Sequence, residues 1–238
     1  MTTAPQRFGG ELILNDYAGI NVDGNAGLTT LDLVDLHHLV DAFDTDMPNK
    51  ESTSDQANNR VVVSDDGDYR VSFAADGASD ENAEVFEWDV FAISQTTTAV
   101  TGATAADPVV VTAVAHGLEN GDHVKLASVG GMVELNDKVY VVANKADDTF
   151  ELNDDNAGDI DGSGYTPFTT GGTVALATKT ICHSHRFFGT AVDVGAFGDG
   201  ASFVTLVGGD AVELYVKCNT GAVDFLHEHC CFSIQRVG

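Results

Sequence analysis

A chain of 238 residues with 43% apolar and 20% charged side chains can bury a substantial core and does not read as disordered. Its net charge of −26, from 37 acidic and 11 basic groups, argues against nucleic acid or anionic lipid as a partner, since both call for basic patches. No stretch approaches the roughly 20 apolar residues of a membrane-spanning helix.

The opening MTTAPQRFGG lacks a hydrophobic signal core, so secretion is not expected, and Cys182, Cys218, Cys230 and Cys231 are expected to be reduced. Residues 1–10 read as a loose arm and Glu11–Asn15 as a first strand. Leu28–Val40 is ambiguous: Leu33, Leu36, His37 and Val40 share a helical face, yet Leu31, Leu33 and Leu39 also fit strand alternation. The reading adopted is strand near Thr30–Leu33 and again near Leu36–Val40. Thr45–Asn59 is polar, contains Pro48, and reads as a long loop. Arg60–Val63 and Tyr69–Ala75, joined by Asp65-Asp66-Gly67, read as a hairpin in which Tyr69, Val71 and Phe73 alternate with Arg70 and Ser72. Val85–Ile93 repeats the alternation. Phe86, Trp88, Val90 and Ala92 are expected to face the core, with Val85, Glu87, Asp89 and Phe91 on the other side.

Ser94–Ala106 is small and uncharged, and 96–106 reads as a linker. Val109–Val114, Val124–Leu126, Val139–Ala143 and Thr149–Leu152 then read as short strands able to close a small barrel-like sheet, with Gly117 and Gly121 supplying positive φ in the first turn. Ile181–Thr190, Ser202–Val207, Val212–Lys217 and Phe225–Arg236 read as four more strands. About eight strands remain without the insert, which suits a two-sheet jelly roll. Net charge is −15 over 1–95, −9 over 107–177 and −2 over 178–238, so the last part is expected to be the most buried or to meet identical subunits.

Ala115-His116-Gly117-Leu118, Asn120-Gly121-Asp122, Gly130-Gly131-Met132, Tyr140-Val141-Val142-Ala143, Asp161-Gly162-Ser163-Gly164-Tyr165 and Gly171-Gly172-Thr173-Val174 resemble one module. It is similar to the FCCH-like β domain, first named in ubiquitin-activating enzymes, that recurs in tailed-phage structural proteins. That resemblance implies an accessory domain at 107–177 without an active site. Ala42-Phe43-Asp44-Thr45, Arg60-Val61-Val62-Val63, Asp66–Phe73, Gly208–Leu214 and Phe232-Ser233-Ile234 resemble a C1q/TNF-like jelly roll, discontinuous over 1–95 and 178–238. The expected fold is therefore all-β, a jelly-roll sandwich with an inserted small β-barrel-like domain. The two resemblances together imply a phage virion protein. It would be a non-enzymatic capsid decoration (cement) protein, made in the host cytoplasm and carried as a homotrimer on the major capsid protein at the outer capsid surface. The alternative is a tail or head-fibre protein binding a receptor or glycan; the chain lacks the repeats and heptads usual in long fibres.

Chemistry-bearing residues are few. His183 and His185, like His227 and His229, stand two apart on strands, so each pair could face a metal, or else form a partly exposed or interface histidine set. No cofactor is expected. Asp159–Gly164 lacks the acidic group at Thr170 that a calcium loop would need and reads as a turn. Cys230 and His229, as strand neighbours, should point apart. No GxSxG elbow, P-loop or dinucleotide fingerprint occurs. Phe187, Phe188, Tyr215 and Phe232 are expected to be core aromatics or oligomer-interface residues.

Overall fold

The computed structural model describes residues 16–22, 27–79, 85–187, 196–219 and 223–237. The expected strand Glu11–Asn15 and residue Phe188 lie outside them. The chain first makes β1 (Tyr17–Asn21), β2 (Gly27–Leu31), β3 (His37–Leu39), β4 (Thr45–Asp46), β5 (Thr53–Asp55), β6 (Arg60–Val62), β7 (Gly67–Ser79) and β8 (Val85–Ala99). Five short strands follow: β9 (Gly102–Ala103), β10 (Val110–Thr112), β11 (His123–Ala127), β12 (Lys138–Ala143) and β13 (Thr149–Asn153). The chain then closes with β14 (Thr173–Phe187), β15 (Ala196–Leu206), β16 (Ala211–Cys218) and β17 (Val223–Arg236).

The fold is an all-β jelly roll. One sheet runs β15-β7-β17-β1-β4 with β2 also on β17, and the other contains β6-β16-β8-β14 in that order. From β6 onward successive jelly-roll strands cross from sheet to sheet except at β8 and β14, which pair with each other, and the insert lies between those two. Residues 60–75 are accordingly not the expected hairpin: β6 pairs with β5 and β16, whereas β7 pairs with β15 and β17. Fully buried Asp16 holds this crossing, accepting hydrogen bonds from Ser52 N (2.9 Å), Ser64 Oγ (2.9 Å) and Tyr69 Oη (2.5 Å). Thr45–Asn59 is also more ordered than a loop, holding β4, β5 and a 3-10 turn at Gln56–Asn58.

Phe86, Trp88, Val90 and Ala92 of β8 enter the core between the sheets, as their alternation demands, and pack with Phe225, Phe232 and Tyr69. Each large side chain buried there contributes about 1.5–3 kcal/mol. Ser94–Ala106 is not simply a linker. β8 continues through it to Ala99, and β14 begins inside the insert, so the two strands pair from Thr173–Ala99 to Phe187–Val85. The insert has its own core of Val109, Val111, Val124, Leu126, Tyr140 and Phe150 among others. Gly117 (φ 68°) and Gly121 (φ 94°) take the positive dihedrals expected of them.

Candidate functional site

Insert and jelly roll share more than two strands. β3 hydrogen-bonds to β12 of the insert on one edge and to β16 of the jelly roll on the other. With β16–β8, β8–β14, β14–β11 and β11–β12 already paired, six antiparallel strands close a ring. Its interior is the second face of β8, expected to look away from the core. Phe91 there is fully buried, with ring centroids of His37, Tyr215 and His123 at 5.1, 5.4 and 5.5 Å. Leu39, Ile93, Val139, Ala175 and Ala177 fill the space around it.

Charges gather on one side of Phe91. Asp155, in the loop after β13, receives Lys217 Nζ at 2.9 Å, His123 Nε2 at 3.1 Å and Lys179 Nζ at 3.5 Å, with His37 Nδ1 at 3.6 Å. Asp89, fully buried on β8, bonds His37 Nε2 and Lys179 Nζ, both at 2.8 Å. Glu87 lies 3.4 Å from Lys217. Burial would raise the Asp155 carboxyl, but the His123 hydrogen bond, the neighbouring His37 and the hydrogen bond from Lys217 hold it far below the ordinary range. Asp89 is lowered too: burial opposes, while His37 and Lys179 outweigh it. Lys217 is pushed up, burial being overcome by the Asp155 hydrogen bond and charge. On the other side, Lys125 Nζ makes a two-pronged contact with Glu213 (2.9 and 2.7 Å), and Tyr215 Oη donates to the same carboxylate at 2.5 Å. Burial, reinforced by the charge of Glu213, keeps the Tyr215 phenol well above its usual pKa.

Ligand atoms of His37, Glu87 and Asp89 come within 4.8 Å of one another, a spacing a metal ion could use. The ammonium of Lys179, 2.8 Å from Asp89, and that of Lys217, 3.4 Å from Glu87, already supply cations there. The cluster therefore works as an ion-paired seam: the insert supplies Asp155 and His123, and the jelly roll the rest.

Of the sequence-predicted site residues whose side chains are described, only Tyr215 lies in the ring. The two histidine pairs belong to different sheets, β14 and β17. The side chains of His183, His185, Phe187 and His229 lie outside the described ones. His227 is fully buried, its Nε2 3.0 Å from Thr29 Oγ1, and burial pushes its pKa down to about 3. A bulge between His227 and Cys230 breaks the simple alternation, so these two, three apart, both point inward. Tyr215 and Phe232 are buried within the single chain and present no surface to a partner. Asp161 Oδ1 accepts Ser163 N at 2.8 Å, as the turn reading requires. Sequence reasoning missed the seam, because Asp154-Asp155 looks like turn chemistry. Asp154 does cap its turn, accepting Asn156 N and Gly158 N, whereas Asp155 leaves it for the ring.

Residues 106–177 match the family model of the ubiquitin-activating enzyme E1 FCCH domain. No curated protein matches the chain. Among solved structures it is similar to the Eiger TNF of S. frugiperda, at 11% identity and a TM-score of 0.42 over 94% of each chain. The jelly-roll assignment rests on the strand order itself.

Proposed function

We propose that this chain is a non-enzymatic structural protein of a tailed-phage virion, a capsid decoration protein. It would sit on the outer capsid surface as a homotrimer, bind the major capsid protein and stabilise the head. The observation that carries this reading is the closed ring. It joins insert to jelly roll through six strands and spends its buried charges on one another, an arrangement that gives rigidity. The phage element rests on the two resemblances in the sequence. A surface of net charge −26 keeps many crowded copies soluble and apart. Cementing of this kind works by avidity, many modest contacts across capsomer joints opposing internal pressure.

Cryo-electron microscopy of the virion encoding the chain tests the proposal. Knobs with three-fold symmetry at capsomer junctions are the expected result. Density confined to the tail would overturn it in favour of a receptor- or glycan-binding protein.

A further inference from the structure

We infer that the open mouth of the ring binds a neutral saccharide unit, held by hydrogen bonds in the cleft between Arg60 and Asn59 of the jelly roll and Asp41 and Asp137 beside the insert. The inference goes beyond the virion reading and does not depend on where on the particle the chain sits.

The mouth exists because a sheet forks. One edge of β16 carries β8, and the other is shared, with β6 on Ala211–Glu213 and β3 on Tyr215–Val216. β6 stays in the jelly roll whereas β3 turns to β12 of the insert, so the two part and leave a cleft between them. Asp155 and its partners stop one end of the ring. Toward the other end the buried Lys125–Glu213 pair forms a floor. Two cavities of about 310 and 400 Å³ adjoin there, both lined by Arg60, Lys125, Ala127 and Glu213. Domain junctions and barrel mouths are where ligand sites concentrate, and these volumes lie in the range such sites occupy.

The chemistry of the lining selects the ligand. The larger cavity brings Asp41 and Asp137 together with Asn59 and Arg60. Arg60 gives its Nε to Asp55 at 2.9 Å, and its two Nη groups are unspent among the described residues. The side chains of Asn59, Ser128 and Asp137 make no hydrogen bond among the described residues, and Asp41 accepts one, from Thr29 Oγ1 at 3.1 Å. Asp41, Asp137 and Glu213 outnumber Arg60 and Lys125, so a phosphate or carboxylate finds no excess of positive charge. A metal ion finds two cations already among the carboxylates. No aromatic side chain lines either cavity, which removes the platform a nucleobase would stack on. What remains is a set of planar donors beside planar acceptors. Vicinal sugar hydroxyls, each both donor and acceptor, satisfy the two sets together. Thr97 and Thr173 continue the polar lining into the second cavity, where a linked unit would extend. Apolar contact is limited to Leu39, Ala57 and Ala127, so one unit binds with a roughly millimolar Kd, and many copies on one particle raise this by avidity.

The test is titration of the full-length, isotope-labelled protein with the methyl glycosides of glucose, galactose, mannose and N-acetylglucosamine, followed by amide chemical shifts. At least one glycoside should move the amides of Asn59, Arg60, Lys125, Ser128 and Asp137, saturating with a Kd of about 1–10 mM. R60Q and D137N, shown to be folded by near-ultraviolet circular dichroism and melting, should each weaken binding about fivefold or more, and D147N should bind like the wild type. No shift with any of the four at about 100 mM would overturn the inference, as would shifts confined to other residues or folded variants that bind like the wild type. So would calcium chloride or inorganic phosphate moving these amides where the glycosides do not, which would assign the cleft to a cation or an anion. A head or tail location on the virion bears on the reading above and leaves this result unchanged.

Discussion

Replacing Asp155 with Asn tests whether the seam holds the insert to the jelly roll. The substitution keeps size and one acceptor but removes the charge that faces Lys217, His123, Lys179 and His37 at 2.9–3.6 Å. Removing one member of a buried ion pair costs about 3–5 kcal/mol. Asp155 retains 12% exposure, and Asp89 and Glu87 still hold the lysines, so the expected cost at neutral pH is about 2–3 kcal/mol. For a domain of this size that lowers the melting temperature by about 4–12 °C. Asp147, exposed in the same module, is the control, and D147N should stay within about 0.5 kcal/mol of wild type.

The pH dependence separates charge from packing. The folded Asp155 carboxyl is held far below its unfolded value, so the unfolded chain takes up the proton first as pH falls. Its contribution is present in full above about pH 4 and is lost below it, at up to about 1.4 kcal/mol per pH unit. Urea titrations should therefore show wild type and D155N converging below about pH 4. A variant that melts with D147N, or a gap independent of pH, would refute the role assigned to the seam.

Lys125→Met strands Glu213, 2% exposed, with only Tyr215 beside it; urea denaturation should show a loss of about 3 kcal/mol, largely recovered in K125M/E213L. His227 is buried neutral, its pKa driven by burial from 6.5 to about 3, so the unfolded chain gains protons below pH 6.5 and wild-type stability declines from there to about pH 3. His227→Phe should flatten that part of the urea-midpoint profile. Gly131→Ala needs φ 84° with a Cβ 2.3 Å from Pro167 O and should lower the melting temperature more than Gly121→Ala, which is at φ 94° but in open space. Replacing residues 101–172 with a short linker removes two of the six ring strands, β11 and β12, and should expose Phe91 and Tyr215, detected as dye binding and aggregation; a stable, dye-silent jelly roll would contradict the shared ring.

Local pattern carried much of the fold. Alternation in Phe86–Ala92 pointed the right side of β8 at the core, and β15, β16 and β17 were legible because each turns apolar side chains into it. The hairpin expected at 60–75 fails for a physical reason: two alternating strands and an Asp-rich turn look alike whether the chain pairs back or crosses to another sheet. What decides is Asp16, some fifty residues upstream, gathering Ser52, Ser64 and Tyr69 around the corner. No local window contains that information.

The same limit explains the ambiguity of Leu28–Val40. Leu31 and Val40 belong to the jelly-roll core, Leu36 to the insert core, and Leu39 to the ring, while His37 enters the charged seam. A segment that serves three cores within ten residues obeys neither a period of 2 nor one of 3.6. Charged residues on a strand face beside Phe91 were the available hint. Glu87 and Asp89 read as solvent-facing only while nothing is known to cover them, and the cover is the insert. Its Asp155 is 66 residues further along the chain, and their pairing follows from ring closure, a property of strand order that no spacing in the sequence expresses.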